Sequence, residues 1–107
     1  MAVTYTSGIW VAKPGEEDEF VAAWEEFARW ASTHDGAGTL RLVRDREQTN
    51  RFSSFAPWES VDAIQAWKGS DEFRERIGQV KQHVTEFSPS ELELVAEVAG
   101  QAAAVRA

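Results

Sequence analysis

The chain has no cysteine among its 107 residues, which excludes disulfides, thiolate metal sites and a thiol nucleophile together. It is also poor in positive charge. Its 11 Lys and Arg face 18 Asp and Glu, for a formal net charge of −7. That balance opposes a nucleic-acid partner, because a polyphosphate is bound through a basic stripe that displaces counterions. No hydrophobic run approaches the roughly 20 residues of a membrane span. The opening MAVTYTSGIWVAKPG carries no basic segment ahead of an apolar one, so neither membrane nor export is expected and a cytoplasmic protein is. No glycine-rich phosphate loop follows a predicted strand, and the two histidines, His34 and His83, stand in no cluster at metal-ligand spacing. The sequence thus offers no cofactor motif and no metal site.

Tryptophan is plentiful. Five indoles stand in a chain that is 11% aromatic and 43% hydrophobic, enough for one globular domain. Each large aromatic buries about 150–250 Å², so the core, or a pocket inside it, is built around indoles.

The periodicity alternates between strand and helix. Val3–Ala12 is rich in β-branched and aromatic residues and stops at Lys13-Pro14-Gly15. Glu16–Glu19 supplies acids for a helical first turn, where the macrodipole favours them, and Phe20, Trp24, Phe27 and Ala31 recur at helical spacing. Gly36 and Gly38 are expected to end that helix. Thr39–Arg44 and Arg51–Pro57 read as a hairpin pair, and Ser60 and Gly69-Ser70 open two further helices. Phe73, Ile77, Val80, Val84 and Phe87 fall at 4-3-4-3 spacing, which predicts a last helix running as far as Pro89. Leu92, Leu94, Ala96 and Val98 alternate with acids and predict a half-buried final strand.

The order β-α-β-β-α-α-β predicts an α+β, ferredoxin-like domain over residues 1–99, with a four-stranded antiparallel sheet and helices on one face. Residues 100–107 form an Ala-rich tail. The other sheet face is expected to hold some of Trp10, Val43, Phe55 and Val95. A second copy of the chain is the simplest cover for such a face, so a homodimer is expected.

Four segments carry a family resemblance: Lys13-Pro14-Gly15 with its following acids and Phe20, Trp58-Glu59-Ser60, Ala63-Ile64-Gln65-Ala66-Trp67, and Ser70-Asp71-Glu72-Phe73. With these the chain resembles the antibiotic biosynthesis monooxygenase-like family over Thr4 to Val98. The resemblance implies a dimeric α+β barrel with a cleft between sheet and helices in each subunit. It also implies oxidation of an electron-rich, polyketide-like aromatic by molecular oxygen, with no metal, flavin or nicotinamide. Anthrone-type oxygenases of the family carry an asparagine where this chain has Ser54, a single hydroxyl in place of an amide fork. Haem-degrading members share a tryptophan like Trp67, but this chain has Ile77 in place of their iron-ligating histidine and Gly8 near their first-strand asparagine. Haem is therefore not expected.

The expected substrate-binding walls are Trp24, Phe27, Trp58 and Trp67, all of which also read as ordinary core aromatics. Ser54 is the candidate polar contact and His34 the candidate proton acceptor, although His34 equally reads as a cap on the first helix. Arg41, Arg44, Arg46 and Arg51 could clamp a substrate anion, or pair across the hairpin. Two other functions remain open. One is a non-catalytic dimeric barrel that binds a small hydrophobic molecule or serves as an accessory protein; the other is an isomerase or cyclase, which needs a placed acid–base pair but no oxygen.

Overall fold

A computed structural model describes residues 3–102; part of the expected tail, 103–107, lies outside them. The elements are β1 (Thr4–Ala12), α1 (Glu17–Ala31), β2 (Arg41–Arg44), β3 (Arg51–Trp58), α2 (Val61–Lys68), α3 (Asp71–Lys81) and β4 (Val84–Glu93). They form one antiparallel sheet in the order β2-β3-β1-β4, the ferredoxin-like arrangement. Ser60 and Ser70 cap α2 and α3, their hydroxyls accepting from the N–H of Ala63 and Phe73 at 3.1 Å each. Between β2 and β3, Asp45 Oδ1 accepts from the N–H of Glu47 and Gln48. The bond from Gln48, then that from Glu47, holds the Asp45 carboxyl below its ordinary pKa. A lowered folded-state value means that the turn's support is present at neutral pH and is lost as pH falls through the carboxylate range.

The core fills the space between sheet and helices. Phe20, Phe52, Trp58, Ile64 and Val80 are almost wholly buried there. Two diagonal hydrogen bonds tie β1 to β3 on this face. Trp58 Nε1 donates to Thr6 Oγ1 at 3.0 Å, and Trp10 Nε1 donates to Ser54 Oγ at 2.9 Å. In the β1–β3 register Thr4 faces Trp58 and Trp10 faces Phe52. Each indole therefore reaches two residues along the opposite strand, the diagonal distance that long aromatic side chains span.

Trp10 is not on the uncovered face. It is 2% exposed, stacks on Phe87 at 3.9 Å and touches Phe20. Strand alternation puts it with Thr6 and Ala12 on the helix side, and Tyr5, Ser7, Ile9 and Val11 on the other.

The last helix ends at Lys81, and Val84 and Phe87 belong to β4. Their i, i+3 spacing imitates a helix because of a bulge. The β1–β4 register pairs Val11 with Glu86 and Ala12 with Val84, so Thr85 is the extra residue. One inserted residue brings positions three apart onto the same sheet face. Pro89 sits inside β4, which tolerates it as an edge strand whose outward N–H has no partner to lose.

The expected strand beyond Glu93 is absent among the described residues. Leu94 N donates to Val3 O at 2.9 Å, and β1 offers no described rung past that point. Val95 and Val98 are accordingly exposed. Helix α1 stops at Ala31, ahead of both glycines, and Gly36 instead makes the left-handed turn that follows (φ 87°). Strand β2 starts at Arg41 and not Thr39, because the pairing slips. Ala37 faces Trp58 but Arg41 faces Phe55, which leaves one residue over between the two registers.

Gly8 carries no side chain because Phe87 occupies the place. A Cβ there would lie 2.8 Å from Phe87 Cε1 and 3.2 Å from Ser54 Oγ. Gly8→Ala is predicted to lower stability by about 1–3 kcal/mol, the usual cost of overpacking, read as a shift in the denaturant midpoint. Thr6→Val leaves the Trp58 N–H buried without an acceptor. It is predicted to cost about 1–3 kcal/mol by the same measurement, whereas Thr6→Ser retains the bond and stays closer to the parent.

Candidate functional site

The middle of the helix-facing sheet surface is floored by small residues: Thr6 and Gly8 from β1, Ser54 and Ala56 from β3. Larger side chains stand around that floor. The result is a cavity of about 270 Å³, near the lower end of the roughly 300–1,000 Å³ of small-ligand sites. Trp10 and Phe87 form one stacked wall on the sheet. Trp24 and Phe27 project from α1, Trp67 from α2, and Phe73 and Ile77 from α3. Three of the helix-borne rings touch one another. Trp67 meets Phe73 edge-on at 4.8 Å, and Phe27 touches both. Phe73 and Ile77 are only half-buried because they border this space, not solid core.

Few polar groups reach the cavity. The Ser54 hydroxyl lines it and already accepts the Trp10 indole hydrogen, so its own hydrogen is left to donate. Trp67 also lines the cavity, and its Nε1 is buried with no hydrogen-bond partner. A buried donor without an acceptor costs about 1–3 kcal/mol, and this nitrogen has almost no accessible surface, so a ligand in the cavity does not reach it. Lys68 and Lys81, the last residues of α2 and α3, are the charged members of the lining. It contains no carboxylate and no imidazole among the described residues.

The predicted residues divide. Trp24, Phe27, Trp67 and Ser54 come together around one space. Trp58 does not line it. It stacks behind Trp67 at 4.8 Å and is 1% exposed, so it backs the wall. His34 is outside the cavity lining. Its Nδ1 donates to the Trp30 and Ala31 carbonyls at 3.2 and 3.3 Å, which is the helix-capping role. His83 is held elsewhere too, with Nδ1 3.0 Å from Glu16 Oε1. None of the four hairpin arginines borders the cavity, and Arg44 lies over the Phe52 ring. The sequence reading overlooked Trp10, Phe87 and the two lysines. The signal for Trp10 was strand alternation. For Phe87 it was masked by the bulge.

No group of three or more His, Cys, Asp or Glu among the described residues could hold a metal ion. No described helix is long and apolar enough to cross a membrane.

Comparison with known proteins bears on the whole domain. No curated protein matches the sequence at a significant level. Among solved structures, a Bordetella bronchiseptica protein provisionally named an antibiotic biosynthesis monooxygenase superposes with a TM-score of 0.77 at 20% identity, covering 92% of this chain and all of its own. A Mycobacterium tuberculosis protein gives 0.77 at 15% identity, covering 91% of this chain and 99% of that one. A Nitrosomonas europaea protein, provisionally named like the first, gives 0.73 at 12%, with 88% and 89% covered. At these identities the likeness shows a shared fold. The sequence profile named antibiotic biosynthesis monooxygenase matches residues 9–78, well over half of the chain and most of the cavity-forming elements. The chain belongs to the antibiotic biosynthesis monooxygenase family.

Proposed function

We propose that the chain is a cofactor-independent monooxygenase acting on a small electron-rich aromatic. The observation that carries this reading is the Ser54 hydroxyl, fixed by the Trp10 indole at 2.9 Å and set in an aromatic-lined cavity. The overall conversion needs no outside reductant: R₂CH₂ + O₂ gives R₂C=O + H₂O. The carbon loses four electrons and the oxygen molecule gains them. Loss of the first C–H or phenolic proton to water gives a delocalised anion, which passes one electron to oxygen. The resulting carbon radical and superoxide join in a C–O bond as a peroxide anion, which takes a proton from water to become a hydroperoxide. The second C–H proton then leaves, the O–O bond breaks, and hydroxide departs to be protonated as water.

Within that sequence the chain's residues bind, dry and stabilise. Trp67, Phe27, Trp10 and Phe87 hold the flat substrate and exclude solvent. Ser54 donates to the oxygen on which the anion's charge develops. The lining holds no carboxylate or imidazole, so the reading favours substrates acidic enough to ionise in water. That same absence favours a second reading, a carrier for a small hydrophobic molecule. An isomerase or cyclase would need the acid–base pair that the described lining lacks.

We also infer a homodimer. Proteins of this family are typically dimeric, and the uncovered sheet face is apolar. Tyr5, Ile9, Phe55 and Leu92 border a groove of about 550 Å³ there, and Val43 and Leu92 are half exposed. Sedimentation is expected to give a dimer that Leu92→Glu shifts toward monomer.

Oxygen uptake with anthrones, hydroquinones and naphthols tests the catalytic reading. Uptake is expected with at least one class, and Ser54→Ala should lower kcat about 10²-fold, as loss of an oxyanion donor does. Loss of uptake in His34→Ala with Ser54→Ala unaffected would overturn the assignment of Ser54. Quenching of tryptophan fluorescence by these compounds without uptake would favour the carrier.

A further inference from the structure

The cations of the helices are almost all matched by carboxylates. Arg29 pairs with Glu25 at 3.8 Å, Arg74 with Asp71 at 3.6 Å and Arg76 with Glu72 at 2.8 Å, each within its own helix. Lys68 reaches Glu91 on β4 at 3.2 Å. Lys81 differs. The residues three and four positions before it are Gly78 and Ile77, neither of them charged, and no carboxylate among the described residues pairs with it. Its Nζ instead lies 6.0 Å from the centroid of the Phe87 ring, which stacks on Trp10 in the cavity wall.

This places an uncompensated ammonium at the edge of an apolar cavity, in a chain whose net charge of −7 repels anions at long range. Closing α3 with a lysine complements the helix C-terminus, but that does not require the lysine to border a cavity. We propose that the site takes an aromatic carboxylate, its rings against Phe87, Trp10 and Trp67 and its carboxylate paired with Lys81. The Ser54 hydroxyl is then left for an oxygen on the ring system. This rests on the reading of the cavity as the ligand site and narrows the substrate to a class with an acidic group.

Binding of 2-naphthoate and its neutral isostere 2-naphthamide, measured without oxygen by calorimetry and fluorescence quenching, separates the possibilities. The carboxylate is expected to bind about fivefold more tightly at low salt, the strength of a good exposed ion pair, with the gap narrowing at 0.5 M salt. Lys81→Gln should remove that gap and leave the amide's Kd unchanged. Lys13→Gln, which removes the same charge outside the cavity lining, should preserve it. Lys81 is exposed, and equal denaturation midpoints confirm that the variants fold alike. Equal affinities in the parent protein, or a gap that survives Lys81→Gln, overturn the proposal while leaving the cavity as a ligand site. Failure of both probes to bind overturns the ligand site itself.

Discussion

The diagonal pair of indole-to-hydroxyl bonds, Trp58 to Thr6 and Trp10 to Ser54, determines the rest of the site. Each bond stretches a large ring along the sheet surface instead of upright into the core. Rings laid down in this way leave the sheet's centre to small residues, Gly8 and Ala56. A helix layer cannot fill the hollow that remains unless its own side chains are long enough to touch the floor. Of those that line it, Phe27, Trp67 and Phe73 meet one another. The cavity is a consequence of where two hydrogen bonds put two rings.

The same arrangement explains why the two sheet-borne tryptophans differ in role. Trp58 stands where β3 turns into α2, and α2 folds back to stack Trp67 on it at 4.8 Å. It is therefore sealed between Thr6 and Trp67 and acts as a backing plate. Trp10 lies toward the other end of β1, away from that corner, so one face is free to stack with Phe87 and border the cavity. Its indole hydrogen also bears on what Ser54 offers a ligand. A hydroxyl that accepts a hydrogen bond is polarised to donate its own more strongly. Ser54 thus recovers part of what a serine lacks beside an asparagine amide.

The fold was legible because its signals are local. Lys13-Pro14-Gly15, the Trp58-Glu59-Ser60 corner and Ser70 each mark a boundary by turn or cap chemistry that acts within a few residues. The site was legible only in part because it depends on register. Periodicity cannot tell a helical i, i+3 pair from a strand pair across a bulge, so Val84 and Phe87 read as helix. Phe87, half of a cavity wall, went with them. Trp10 was assigned to the wrong face for a related reason. β1 carries bulky residues at both parities, Tyr5 and Ile9 on one face and Trp10 on the other. Which set is covered by helices is decided by its partners on β3. His34 illustrates the converse: a residue can side with the apolar stripe on a helical wheel and still, past the last helical turn, be drawn back to cap its carbonyls.

The polar inventory of the cavity leans toward donors. The Ser54 hydroxyl hydrogen and the ammonium groups of Lys68 and Lys81 all donate, while the Thr6 and Ser7 hydroxyls of the lining both donate and accept. Glu91, outside the lining, is already bound to Lys68. A cavity rich in donors is matched by a ligand rich in acceptors. Donors also lower the pKa of a bound phenol or enol, since they favour the charged form. Under the proposed oxygenase reading, such a site needs no base of its own. It would stabilise an anion that water has helped to form, with the surrounding aromatic wall slowing reprotonation before oxygen reaches it.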